Sequence, residues 1–185
     1  MKTFRTVDDL RAADVAFRDV VLAHDAKLGD GDPRAKIEEA IDFAAVLGCA
    51  EAIGAIDSAN RATLEYLKTR RQFGVPIGSF QALQHRMVDM TIHAEQARSM
   101  TLLACAKLDA AASGDVDAAE RARVVSAAKV LVGTACRHVG QEAIQLHGGM
   151  GMTVEMKISH TFKRLTMLAQ QFGDVDHHLE RFART

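Results

Sequence analysis

Between Phe80 and Leu108, small or apolar residues recur in alternating steps of three and four: Phe80, Leu83, Met87, Met90, Ala94, Ala97, Thr101, Ala104 and Leu108. On a helix of about 3.6 residues per turn this spacing draws one narrow seam. A seam that long requires partner helices lying alongside at a shallow angle, near +20°, as in an antiparallel bundle. The rest of the chain is punctuated to match. Its two prolines, Pro33 and Pro76, stand at element boundaries.

The spacing and breakers predict a helix over 33–69. Asp32 is its expected N-cap, and Pro33 takes the first helical position. Its stripe is Ile37, Ile41, Ala44, Gly48, Ala52, Ala55 and Ala59, mostly small residues that let helix axes approach. RRQFGVPIGS, with Gly74 and Pro76, is expected to stop that helix. Further helices are predicted over about 116–146, 153–170 and 176–182. Residues 4–7 and 13–20 alternate apolar with polar, as half-buried strands do, with Asp8-Asp9 as the turn between them. Two strands alone are not a stable sheet, so residues 1–30 are expected to be the end of a β domain whose earlier part lies outside this chain. The predicted fold is all-α: an antiparallel four-helix bundle of long helices over 31–185, with a short β remnant in front.

Charge excludes some functions. Twenty-three basic against 24 acidic residues leave a net charge of −1. No basic run supplies the field that phosphate-driven nucleic-acid binding needs. The most apolar window, 43–56, is too short to span a membrane and contains Glu51, and the opening MKTFRTVDD lacks a signal peptide's apolar core. Cys49, Cys105 and Cys136 stand singly, as reduced thiols do, so a cytoplasmic protein is expected. His177 and His178, adjacent on a helix, point about 100° apart, so no metal site is expected there.

Three stretches carry possible chemistry. QLHGGMG (145–151) has three glycines in four positions at a helix end, where backbone can approach a phosphate or flat ring closely. A glycine C-cap is the other reading. RRQFG (70–74) sets two guanidinium groups beside an aromatic. Arginine suits bidentate phosphate contact, but a helix C-terminus also favours it through the dipole. SFQALQHR (79–86) adds Gln81 and Gln84 on the opening turn of the next helix, able to bind a heterocycle or simply solvated.

Taken together, RxQFGxPIxxFQxxQ, a long helical stretch and then QxxGGxG resemble the C-terminal helical domain of the acyl-CoA dehydrogenase family. The resemblance covers essentially the whole chain but only about the latter half of the family's usual length. It implies FAD lying across a subunit boundary, with Arg70, Gln72, Phe73, Gln81, Gln84, Gln145, Gly148 and Gly149 serving the ADP half of a neighbouring subunit's flavin. It implies an acyl-CoA substrate, α,β-dehydrogenation by proton removal and hydride transfer, and an electron-transfer flavoprotein as acceptor. The implied assembly is a homodimer or tetramer, or a pairing with a second dehydrogenase-like subunit. His147, inside the glycine turn, is expected to face solvent or a flavin edge.

The chain departs from that pattern at the base. Most family members carry the catalytic glutamate in a loop before the last helix, where this sequence reads Gln171-Phe172-Gly173-Asp174, with Gly173 in the glutamate's place. The FGDxDHH ending resembles an actinobacterial, steroid-degrading subgroup in which two unlike subunits pair. A minority of the family carries its base on the first C-terminal helix, at the position of Glu38 here; Glu38 also reads as an ordinary solvated carboxylate. The competing function is therefore a non-catalytic helical assembly subunit of a heteromeric enzyme.

Overall fold

The computed structural model describes residues 1–26 and 33–185. An antiparallel hairpin of β1 (Lys2–Arg5) and β2 (Arg11–Asp14) precedes α1 (Pro33–Thr69). A second small hairpin follows, β3 (Arg71–Gln72) and β4 (Val75–Pro76), then α2 (Gln81–Ala112), α3 (Ala118–His147), α4 (Lys157–Gln170) and α5 (Val175–Arg184). Helix α3 is the axis of the bundle, packed against α1, α2, α4 and α5.

The α2 seam turns inward over its central turns. Met90, Ala94, Ala97, Thr101 and Ala104 are buried, while Leu83, Met87 and Leu108 are half-buried at its ends. Phe80 is not part of the packed seam: it is the N-cap residue, in extended conformation and exposed. Met90, Ala94 and Ala97, with Leu83 and Met87 packed against them, join Ile56 of α1, Val139 of α3 and Leu165 of α4 in the main core. Alanines at 52, 97, 135 and 143 are fully buried there, so the helices approach closely. Fully burying a side chain such as Met90 or Leu165 contributes about 1.5–3 kcal/mol. A smaller cluster of Ala45, Val46, Ala104, Val125 and Ala128 closes the other end.

The structure moves several expected boundaries. Helix α1 runs over the expected residues, but its buried face is Asp42, Ala45, Val46, Cys49, Ala52, Ile53, Ile56, Ala59, Thr63 and Leu67. Of the expected stripe only Ala52 and Ala59 are buried; Ile37 and Ile41, on early turns of α1, are exposed. The N-cap expectation at Asp32 and the 30/31 boundary fall outside the described residues. In the first hairpin, the turn at 6–10 is closed by Thr6 and Leu10 backbone groups. The strands lie at 2–5 and 11–14 rather than at 4–7 and 13–20, the register running from Arg5↔Arg11 to Lys2↔Asp14. Helix α4 starts at Lys157 rather than 153: the 3₁₀ turn over Gly148–Met152 is followed by a further bend and turn over 153–156, and Met156 is the extended N-cap residue.

Two charged clusters tie the elements together. The Asp42 carboxylate is fully buried and receives Arg121 of α3 at 3.1 Å and Arg181 of α5 at 2.6 Å. Arg164 of α4 forks onto Glu51 of α1 at 2.6 and 2.7 Å and reaches Asp8, in the first hairpin's turn, at 2.7 Å. Among the described residues no helix is long and apolar enough to cross a membrane, and all three cysteines are free thiols.

Candidate functional site

Helices α1 and α3 both run antiparallel to α2, so the C-termini of α1 and α3 and the N-terminus of α2 share one end of the bundle. The RRQFG, SFQALQ and QLHGGMG stretches all lie there. The RRQFG segment is not the simple helix stop its sequence suggests. It is a hairpin whose two-residue turn places Phe73 and Gly74 at φ of 55° and 82°. That is the turn class requiring positive φ at both central residues, an uncommon conformation for phenylalanine. The turn leaves Phe73 89% exposed, its ring edge-on to that of Phe80 with centroids 6.0 Å apart. The Arg71 guanidinium closes the turn on the Gly74 carbonyl at 3.1 Å. The Arg70 backbone is held at both sides, by Tyr66 and Ile77, while its side chain is exposed and makes no hydrogen bond or ion pair among the described residues.

The chain then re-enters through a 3₁₀ turn over Ile77–Ser79. Gly78 lets this turn sit against α1, for a Cβ there would meet the Leu67 carbonyl oxygen at 2.9 Å. Helix α2 starts with no side-chain cap and no acidic residue in its first turn. The positive end of a 32-residue helix is thus left open beside Arg70. Gln84 is partly committed: its amide nitrogen donates to the Gly78 carbonyl at 2.9 Å. Gln72 similarly donates to the Arg71 carbonyl at 2.8 Å. The Gln81 side chain is exposed. Glu142 of α3 accepts from Arg86 at 2.5 and 3.0 Å, which holds the guanidinium further into its charged form and fastens α2 to α3.

At the end of α3 the glycines divide the work. Gly148 caps the helix at φ 61°, ψ −145°, a region essentially closed to other residues. A Cβ on Gly149 would meet nothing within 4 Å, so this position presents bare backbone to open space. Gly151 is packed: a Cβ would lie 2.8 Å from the Ile144 carbonyl oxygen. Gln145 is exposed on the last turn of α3. The structure corrects the expectation for His147. Its ring is buried, Nδ1–H donates to the Ala143 carbonyl at 2.8 Å, and it stacks on Tyr66 at 4.4 Å. That stack fixes Arg70 and the glycine turn relative to each other. Tyr66 was the element sequence reading missed, although the chain's one tyrosine stands four residues before Arg70.

Glu38 is not brought to this end. It is exposed on the second turn of α1, and at ~1.5 Å per residue about 48 Å of helix separates it from Arg70. Asp174, the acid nearest the usual base position, is the N-cap of α5 and accepts the His177 N–H at 2.9 Å. Beside the Arg70 end, a groove of about 860 Å³ runs between α1 and α2, floored by Leu64, Leu67, Met87, Val88 and Ile92, with Gln84 on its wall.

The chemistry of this end fits a nucleotide diphosphate carrying a flat ring: an uncommitted arginine and an open helix N-terminus for anionic oxygens, an exposed phenylalanine for stacking, and bare glycine backbone for close approach. The family model for the acyl-CoA dehydrogenase C-terminal domain matches residues 34–185. The acyl-CoA dehydrogenase IpdE2 of Mycobacterium tuberculosis is 40% identical over 129 residues, 70% of this chain and 37% of that protein. A solved structure of PigA with FAD and proline superposes with a TM-score of 0.70 at 30% identity, over 78% of this chain and 36% of that one. A variant of the Tcur3481-Tcur3483 steroid ACAD shares the fold over 99% of this chain and 47% of its own, with a TM-score of 0.82 at 24% identity. The chain spans about two fifths of the length of the curated relatives it matches. It belongs to the acyl-CoA dehydrogenase family, and residues 34–185 form that family's C-terminal helical domain.

Proposed function

We propose that this chain is the C-terminal part of an FAD-dependent acyl-CoA dehydrogenase and supplies the contacts for the ADP half of a neighbouring subunit's flavin. The observation that carries the reading is the meeting of Arg70, the Phe73-Gly74 turn, the open α2 N-terminus and the Gly148-Gly149 backbone at one end of the bundle, held in register by the Tyr66–His147 stack. The FAD bound to PigA supports it. Arg70 binds the pyrophosphate, Phe73 packs on the adenosine side, and Gly149 admits the nucleotide against the backbone; Gln81, Gln145 and the free oxygen of Gln84 bind its polar edges. Held by these residues, FAD would supply the hydride acceptor for the dehydrogenation.

The base is proposed to act at a different place. Glu38 is the candidate on this chain, and its separation from Arg70 requires the two to serve different flavins of one assembly. The exposed apolar residues along α1 and α2, among them Phe43, Leu47, Val88, Ile92 and Leu102, are the surface through which copies or an unlike dehydrogenase subunit would assemble. The alternative, a subunit that supplies flavin contacts without a base, is favoured by the exclusion of any side chain at 173. The test is flavin absorbance of the purified assembly, with Arg70→Ala and Glu38→Gln compared. Arg70→Ala should lose flavin. Glu38→Gln should keep flavin and lose dehydrogenation if Glu38 is the base, and should keep both if a partner supplies it. The isolated 185-residue chain should show no dehydrogenase activity.

A further inference from the structure

The turn between α4 and α5 is gripped from two sides. From α3, the buried Lys129 ammonium donates to the Leu168 carbonyl at 3.1 Å and the Gln171 carbonyl at 2.7 Å. From α5, buried His178 takes the Phe172 carbonyl with Nε2–H at 2.9 Å and approaches the Ser126 hydroxyl with Nδ1 at 3.3 Å. Three carbonyls at the end of α4, which would otherwise be orphaned, are therefore captured by two side chains. Between them the backbone reverses through Phe172 at φ 59° and Gly173 at φ 101°. A Cβ on Gly173 would lie 2.4 Å from the His177 ring and 2.9 Å from His178 Nε2. Position 173 is thus closed twice, by backbone conformation and by the rings packed over it.

We propose that Lys129 and His178 are positioning residues forming a clamp that fixes the α4–α5 turn around a side-chain-free position 173. Position 173 is then a closed point in the wall of the bundle, with no room for an acid–base side chain. The clamp is read from this chain's geometry; only the turn's place beside the reacting acyl chain rests on the proposed function. The charged and titratable groups acting on His178 are Lys129 from α3 and His177 and Arg181 from α5, while Asp174 of the turn acts on Lys129. Burial foremost, with those cations, lowers the His178 pKa to about 4, so the ring sits in the clamp as neutral imidazole. Burial likewise lowers the Lys129 pKa, against the opposing pull of Cys49, Cys136 and Asp174.

The test is histidine-labelled NMR with amide exchange on the 185-residue chain. In Lys129→Met, exchange should quicken at 171–178 while the α3 core stays protected, and the His178 titration should move up toward the ordinary histidine range as the neighbouring cation disappears. Unchanged turn exchange with an unmoved His178 titration would overturn the clamp. If Lys129→Met does not fold, the wild-type chain decides. Turn protection lost with the midpoint of His178 protonation supports the clamp; turn exchange independent of that midpoint overturns it. Both readouts are independent of flavin binding, so failure here leaves the proposed function standing, and loss of flavin in Arg70→Ala says nothing about the clamp.

Discussion

Tyr66 and His147 stack with ring centroids 4.4 Å apart and planes 28° from parallel, although 81 residues separate them in sequence. Each stands next to a different half of the proposed flavin-facing surface, so the stack is the mechanical link between Arg70 and Gly148. A double-mutant cycle with Tyr66→Ala and His147→Ala should give a coupling of about 0.5–1.5 kcal/mol by thermal or urea unfolding. A cycle that closes additively would show that the rings merely lie near each other.

Arg70→Ala and Gly149→Val should both leave the fold intact, because one side chain is unengaged and a Cβ at the other position meets open space. Flavin retention should fall by roughly ten- to a hundred-fold for Arg70→Ala, the worth of a charge-assisted phosphate contact at ~1.5–3 kcal/mol. Gly148→Ala should behave differently. Its positive φ should make it cost about 1–2 kcal/mol in stability as well as flavin. Fluorescence of released flavin and melting temperature together separate the two cases.

Met90→Asp places an unpaired charge at a fully buried position of the α2 seam. A loss of several kcal/mol in unfolding free energy is expected. An unchanged melting temperature would remove Met90 from the core.

How much of this was legible beforehand follows from which forces were local. The α2 seam and the extent of α1 could be read because periodicity, Pro33 and the RRQFG break act within a few residues. The rotation of the α1 stripe could not, since which face of α1 is buried depends on the distant helices packed against it. The second hairpin was hidden because phenylalanine seldom takes the left-handed conformation that Phe73 holds. Neighbouring residues also misled at the histidines. His147 beside glycines reads as facing solvent or a flavin edge, whereas it is buried with a distant partner, Tyr66; His178 is likewise buried beside the distant Ser126. The candidate flavin contacts were all named from the motifs, but their meeting at one end, the partial commitment of Gln72 and Gln84, and the distance of Glu38 came only with the fold.

Stability should fall in acid because of His178. Its pKa is about 4 in the folded chain against 6.5 for an ordinary histidine, so the unfolded chain binds the proton first. The contribution is fully present above about pH 6.5 and is lost as pH falls through the folded value near 4. Ser126→Ala and His178→Asn melts taken across this window should show the slope reduced in the histidine variant. An equal slope in both would place the acid sensitivity elsewhere.

The central claim, that one end of the bundle holds the ADP half of a flavin, is tested most directly by titrating ADP into the isotope-labelled chain and following its amide spectrum. The amides of Arg71, Gly74, Gly148 and Gly149 should shift together along one binding curve, and Arg70→Ala should weaken that curve. Shifts clustered around Glu38, or none at these four amides with millimolar ADP, would contradict the claim.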